Sequence, residues 1–282
     1  MTVGEMYRFL RDATLSDSGE REAVSIARYV MESVMGLDPV ALVTRSAEEV
    51  PNATLSRLRE IAIRLSHGEP VQYILGEAWF HGLKLHVSPG VLIPRPETSQ
   101  LVDLITDMTD GQADLDIIDL GTGSGAIAVA LARSLRFPHI TAVDISETAI
   151  ETARKNASDL GTEIDIVKGD MLDTSSLPNG PWHIVVSNPP YIAPDEAKTM
   201  ERRVLDYEPG LALFAPEGDP LCFYRAVAAY AHSTLQAGGI LAFEINPDYA
   251  AGLEKMLRQT GFSDVQTQRD FCGRLRFSFS RR

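Results

Sequence analysis

Asp116-Ile117-Ile118-Asp119-Leu120-Gly121-Thr122-Gly123-Ser124-Gly125-Ala126-Ile127-Ala128-Val129-Ala130-Leu131 changes character at its middle. Residues 116–120 form a short apolar run of the kind that makes a buried strand, and 126–135 read as a helix. Between them, three glycines in five residues permit a tight turn and let a ligand approach the backbone at the helix's amino-terminal end. Strand, glycine loop and helix open a βαβ unit. The alternation continues outward from this point, with a strand at 139–144, a helix at 146–160, a strand at 163–167, and further strands at 182–187 and 239–245. Residues 266–269 and 275–280 read as a closing hairpin. This order predicts an α/β fold with a doubly wound, mainly parallel sheet and crossover helices.

Upstream the pattern differs. Ala23, Ile26, Ala27, Val30 and Val34 recur at helical spacing after the capping cluster Ser16-Asp17-Ser18, and Leu55, Leu58, Ile61, Ala62 and Leu65 repeat it after Asn52. Residues 1–75 are therefore expected to form a small all-helical domain. The stretch Trp79-Phe80-His81-Gly82-Leu83-Lys84-Leu85-His86-Val87 alternates instead, with Gly82 placed to turn a hairpin. Residues 76–95 then form a β-hairpin linker, and 96–282 the main domain.

Composition narrows the function. With 26 basic and 39 acidic residues the net charge is −13, and both parts share it: residues 1–80 carry 8 Arg/Lys against 12 Asp/Glu, residues 81–282 carry 18 against 27. Neither offers the basic field that a phosphate backbone attracts, so no nucleic-acid partner is expected. Cys222 and Cys272 form no metal-type pair, and no His/Asp/Glu cluster has ligand spacing, so no metal is expected. The charged start, with Glu5, Arg8, Arg11 and Asp12, does not read as a signal peptide, and no apolar run is long enough to span a bilayer. A cytoplasmic monomer is the expectation.

Chemistry enters with Asn188-Pro189-Pro190-Tyr191, which follows the apolar run at 182–187 and lies 63 positions beyond Gly125. Two prolines in succession remove backbone donors, so this turn mainly presents acceptors, and the Asn side chain adds a carbonyl. Such a turn suits a planar NH2 group, with Tyr191 supplying a π face beside it. The glycine loop alone would serve NAD or S-adenosyl-L-methionine equally, because with Ala126 it satisfies the dinucleotide fingerprint and Asp144 stands 23 residues after Gly121. Asp170, just after the third strand, and the Asn-Pro-Pro-Tyr turn after the fourth favour S-adenosyl-L-methionine. The alternative reading makes Asp144 and Asp170 ordinary turn or capping carboxylates. His81, His86 and His183 read as structural.

Gly68-Glu69-Pro70-Val71-Gln72-Tyr73-Ile74-Leu75-Gly76, Val91-Leu92-Ile93-Pro94-Arg95-Pro96-Glu97-Thr98, Asp119 to Gly125, Ser187 to Ile192, and Tyr207-Glu208-Pro209 together carry a resemblance. The chain resembles the class I S-adenosylmethionine-dependent methyltransferases, and within them the HemK/PrmC type, the release factor glutamine methyltransferases. The resemblance implies a Rossmann-like methyltransferase sheet with a carboxy-terminal hairpin, behind an amino-terminal substrate-recognition domain. It implies transfer of a methyl group to the side-chain amide nitrogen of the Gln in a Gly-Gly-Gln motif, with class-1 peptide-chain release factors as partners. Gly121, Thr122, Gly123, Ser124, Gly125, Asp144, Asp170, Met171 and Asn188 would hold the cofactor. Asn188, Pro189 and Tyr191 would be catalytic, and Pro190, Arg95 and Glu208 would join them in binding substrate. This chain departs from the family's usual pattern at Ser99, at Gly218-Asp219-Pro220-Leu221, and at Asn246, where Gly is common. An adenine or other amine methyltransferase acting on nucleic acid fits the turn equally well. A non-catalytic cofactor-binding protein and an NAD-dependent oxidoreductase are the other readings.

Overall fold

The computed structural model describes residues 1–15 and 19–282, and the capping cluster Ser16-Asp17-Ser18 lies outside them. The chain divides into two compact units: Met1–Glu77 with Glu201–Tyr207, and Ala78–Met200 with Glu208–Arg282.

The first unit is helical: α1 (Val3–Thr14), α2 (Glu20–Met35), α3 (Pro39–Thr44), α4 (Asn52–Ser66) and α5 (Val71–Leu75). A capping box between Thr2 and Glu5 starts α1. Gly36, in the left-handed region, ends α2. Met6, Leu10, Val30, Met31, Leu58 and Leu65 interlock as its core. The short helix at Arg202–Tyr207 clusters with this unit although the 123 residues Ala78–Met200 of the other unit lie between it and α5 in sequence order, and its Tyr207 hydroxyl donates to the His67 carbonyl at 3.0 Å.

In the second unit a hairpin comes first, β1 (Glu77–Phe80) and β2 (Leu83–His86), joined by His81 and Gly82, both at positive φ. That two-residue connection matches the twist of paired strands. Phe80 and Leu85 bury into the core of the main sheet's unit. The main sheet then follows: α6 (Pro96–Met108), β3 (Asp116–Leu120), α7 (Ala126–Ser134), β4 (His139–Asp144), α8 (Glu147–Asp159), β5 (Asp165–Lys168) and β6 (Trp182–Ser187). Beyond β6 come α9 (Arg202–Tyr207, the helix of the first unit), α10 (Gly210–Leu213), α11 (Cys222–Thr234), β7 (Leu235–Glu244), α12 (Ala250–Thr260), β8 (Ser263–Arg269) and β9 (Leu275–Arg281). The strand order is β5-β4-β3-β6-β7-β9-β8. All neighbours are parallel except β7-β9 and β9-β8.

Three strands start away from their sequence expectation, β8 beginning at Ser263 rather than 266. The third parallel strand starts at Asp165 rather than 163, because Gly161 turns left-handed and Thr162 is still bonded to the Ala157 carbonyl of α8. Strand β7 starts at Leu235 rather than 239, pairing Trp182 with Leu235 across a register shift that Gly238 and Gly239 absorb. Helices α10 to α12 lie where the sequence pattern named no element.

Topology places the site. The chain runs outward from β3 through β4 to β5, then returns to the far side of β3 with β6, so strand order reverses between β3 and β6. A crevice opens at the carboxyl ends of strands at such a switch point. Register aligns those ends: Leu120 pairs with both Val143 and Ser187, so Gly121, Asp144 and Asn188 emerge at one height. Asp144 pairs with Lys168, which brings Gly169 and Asp170 to the same edge.

Candidate active site

The glycine loop is held from below. Asp119 is completely buried, and its Oδ2 accepts the Thr122 hydroxyl at 2.7 Å, latching the first turn of the loop to the strand. Among the described residues its Oδ1 finds no hydrogen-bond partner, and burial pushes the carboxyl up to about 7. The loop backbone turns on itself, with the Gly121 and Thr122 N–H groups both donating to the Val143 carbonyl at the end of β4. Gly121 sits at φ +75, and a Cβ there would lie 2.8 Å from the Met171 Cε. Asn156 of α8, 1% exposed, donates to the Ser124 carbonyl at 2.8 Å and to the His86 carbonyl at 2.9 Å, and accepts from the His86 N–H at 2.6 Å. One buried amide thus ties loop, hairpin and helix together.

A crevice over the loop is lined by Gly121, Thr122, Gly123, Ser124, Asp144, Asp170 and Met171, with Asn188, Pro190 and Arg95 on the same wall. Val91, Leu92, Ile127, Val143, Ile145, Leu172 and Leu211 supply apolar surface. Asp144 Oδ2 accepts the Gly123 N–H at 2.8 Å and Oδ1 the Ser146 N–H at 2.9 Å. Each oxygen keeps one lone pair for a ligand hydroxyl. Burial raises the Asp144 pKa against the opposing backbone N–H groups of Ser146, Gly123 and Ile145. Asp170 Oδ1 accepts the Leu172 N–H at 2.8 Å, forming a turn that puts Met171 against Gly121. Carboxylates at two strand ends, apolar walls between them and a glycine loop at a helix start fit a nucleoside carrying positive charge. S-adenosyl-L-methionine, with its sulfonium and ammonium, is such a molecule.

The Asn188–Tyr191 turn leaves the sheet at the end of β6. Pro189 is buried, and among the described residues no donor reaches its carbonyl. The Tyr191 hydroxyl donates to Glu244 Oε1 at 3.0 Å, and burial followed by that neighbouring carboxylate drives its pKa upward. Asn188 Nδ2 lies 3.4 Å from the Thr98 hydroxyl, which donates to Glu244 Oε2 at 2.6 Å. Thr98 owes its place to the Pro-Arg-Pro-Glu-Thr segment, where Arg95 caps α6 and Pro96 takes the first helical position. Arg95 meets Glu208 at 2.6 Å, and Glu208 also accepts the Ile93 N–H at 3.2 Å. Asn246 donates to the Tyr191 carbonyl at 3.4 Å and to Glu196 at 3.1 Å, work that a glycine could not do.

Among the residues expected from sequence, the crevice gathers Gly121, Thr122, Gly123, Ser124, Asp144, Asp170, Met171, Asn188, Pro190 and Arg95 in its lining. Gly125, which packs against Ala153 of α8, and Pro189, Tyr191 and Glu208 do not line it. Sequence reading gave no role to Thr98, Glu244, Asn156 or Asn246. Thr98 lay inside a quoted motif, but its partner is 146 positions away, and spacing carries no signal of that contact.

Comparison with known proteins shows the family. Residues 98–206 match the family description "Methyltransferase small domain", and residues 11–76 match "PrmC N-terminal domain". The release factor glutamine methyltransferase of Bacteroides thetaiotaomicron is 38% identical over 272 residues, covering 96% of this chain and 97% of that protein. That of Neisseria gonorrhoeae is 40% identical over 247 residues, covering 88% and 89%. Among solved structures, the 16S rRNA N2 G1207 methyltransferase of T. thermophilus gives a TM-score of 0.54 at 18% identity, covering 73% of this chain and 49% of that one. At that identity the likeness concerns the fold alone.

Proposed function

This chain belongs to the family of release factor glutamine methyltransferases, and on that premise we propose that it methylates the side-chain amide nitrogen of a release-factor glutamine, with S-adenosyl-L-methionine as methyl donor. The glutamine is that of the Gly-Gly-Gln motif of class-1 factors. The enzyme works as a cytoplasmic monomer that needs no nucleic acid, and among the described residues no helix is long and apolar enough to cross a membrane. The helical unit at the amino terminus supplies recognition of the release factor. The observation that carries the reading is the acceptor-rich turn Asn188–Tyr191 standing level with the glycine loop at one sheet edge.

Gly121 to Gly125 hold the methionine part of the cofactor, Asp144 the ribose hydroxyls, and Asp170 with Met171 the adenine. When bound, the cofactor supplies an electrophilic methyl group on a cationic sulfur. An amide nitrogen is a poor nucleophile because its lone pair is delocalised into the carbonyl, so holding it in line is the main task of the protein. Asn188 Oδ1 and the unpartnered Pro189 carbonyl accept its two protons, which fixes the nitrogen and favours its partial pyramidalisation. With the cofactor bound, the nitrogen would take the methyl group, the electrons of the carbon–sulfur bond would pass to sulfur, and one amide proton would leave to solvent. Tyr191, its hydroxyl anchored on Glu244, packs its ring against the glutamine side chain. Arg95 and Glu208 contribute on the substrate side.

The test is methyl transfer from labelled S-adenosyl-L-methionine to a purified class-1 release factor, its Gly-Gly-Gln→Gly-Gly-Ala variant, and DNA. Label on the intact factor alone is expected, and Asn188→Ala should lower that rate by about 10²-fold or more, far more than it weakens cofactor binding. Label on DNA would transfer the assignment to an adenine methyltransferase. Label on none of the three would reduce the protein to a cofactor-binding module.

A further inference from the structure

We propose that Glu244 and Thr98 are positioning residues that decide which end of the Asn188 amide faces the substrate, through the fixed polarity of a buried hydrogen-bond chain. The inference rests on the glutamine-methyltransferase reading above and deepens it. Strand register creates the juxtaposition: Ser187 pairs with Phe243, so Asn188 and Glu244 follow at the same height on adjacent strands. Thr98 arrives from a different element, the first turn of α6. Glu244 and Thr98 are 1% and 5% exposed, so water does not complete their bonding.

An ionised carboxylate only accepts hydrogen bonds. Glu244 therefore receives the proton of the Thr98 hydroxyl at 2.6 Å and that of the Tyr191 hydroxyl at 3.0 Å. Threonine has one hydroxyl proton, and it is spent on Glu244. Toward Asn188 the same oxygen offers only lone pairs, so the group that meets it at 3.4 Å must be the donor end, Nδ2. The acceptor end, Oδ1, is left for the other side, where an amide NH2 substrate needs an acceptor. The 3.4 Å separation is long, as catalytic hydrogen bonds often are before substrate tightens them.

The two ends of an Asn side chain are nearly identical in shape, so packing alone does not set the choice. Polarity does. A neutral glutamine at position 244 that turned its NH2 toward Thr98 would make the hydroxyl an acceptor there and free its proton for Asn188. Asn188 would then present Oδ1 to Thr98 and Nδ2 to the substrate, setting donor against donor. Burial raises the Glu244 pKa, while the two hydroxyls and the nearby Arg276 pull it back. The polarity of the chain is set by geometry: the Thr98 and Tyr191 hydroxyls both donate to Glu244, one to each carboxylate oxygen.

The experiment compares wild type with Glu244→Gln, Thr98→Val, which keeps the shape and loses the hydroxyl, and Thr98→Ser, which keeps the hydroxyl. Release-factor methylation is followed at saturating cofactor, cofactor affinity by calorimetry, and the Asn188 side-chain NH2 resonances by 15N NMR. Glu244→Gln and Thr98→Val should lower kcat by about 10- to 100-fold with cofactor affinity within about twofold, and both should shift the Asn188 resonances. Thr98→Ser should restore kcat to within a few-fold and leave those resonances in place. Equal losses for Thr98→Val and Thr98→Ser, or losses explained wholly by weaker cofactor binding, would overturn the proposal. If Glu244→Gln fails to fold, the threonine pair still decides. If wild type does not methylate the release factor, the functional reading fails by itself, and the Asn188 resonances still report whether Thr98 orients the amide.

Discussion

Arg95→Ala leaves Glu208 without its cation in a place that water barely reaches. The Glu208 side chain is 2% exposed and the Arg95 side chain 33%, with 2.6 Å between their charged atoms. Removing one member of a buried pair costs about 3–5 kcal/mol, chiefly through the stranded charge. Two features reduce this: Glu208 keeps the Ile93 N–H at 3.2 Å, and the space Arg95 vacates is already partly open. We expect Arg95→Ala to cost about 2–3 kcal/mol. The converse change is milder, because Glu208→Gln keeps an acceptor for Ile93 and leaves the cation a third exposed, so about 1 kcal/mol is expected. The double variant should recover about 1–2 kcal/mol relative to the sum of the single ones. Urea unfolding followed by the fluorescence of buried Trp182, with cofactor affinity by calorimetry, measures all three, since the loop at 91–95 lines the crevice. Equal losses for the two single variants, or strict additivity, would refute the stranded-charge argument. If the pair instead acts by touching the release factor, both variants should raise KM for that substrate with stability unchanged.

Two further outcomes follow from the cofactor loop. The Asp119 carboxyl has its folded-state pKa raised to about 7, so the stability it contributes is complete below its unfolded value near 4 and is lost as pH rises through about 7. Asp119→Asn should therefore gain on wild type between pH 5 and pH 8 by about 2–3 kcal/mol without cofactor, and a difference that stays flat in thermal unfolding across that range would count against the buried carboxyl. Gly121 and Gly123 both have positive φ, but a Cβ meets Met171 at 2.8 Å in the first and open space in the second. Both alanine variants should strain the backbone by about 1 kcal/mol, and because both residues line the cofactor crevice each should weaken cofactor binding by about tenfold or more in calorimetry; an unchanged affinity in either would sink the argument.

What the sequence determined by itself is local in character. The switch from helical periodicity in residues 1–75 to alternating strands and helices is written in apolar spacing, and the glycine loop and double proline are conformational constraints legible in any context. These placed the sheet, the cofactor loop and Asn188. What only the tertiary structure decided is which groups meet across long separations. Thr98 reaches Glu244 over 146 positions, and Asn156 reaches His86 over 70 and Ser124 over 32. Arg95 and Glu208, read from sequence as substrate contacts, find each other across 113. Strand order and register make those meetings, because parallel pairing through crossover helices sets distant strand ends at one level. Hydrogen-bond polarity, burial and pKa follow from who the neighbours are, and no periodicity along the chain encodes that.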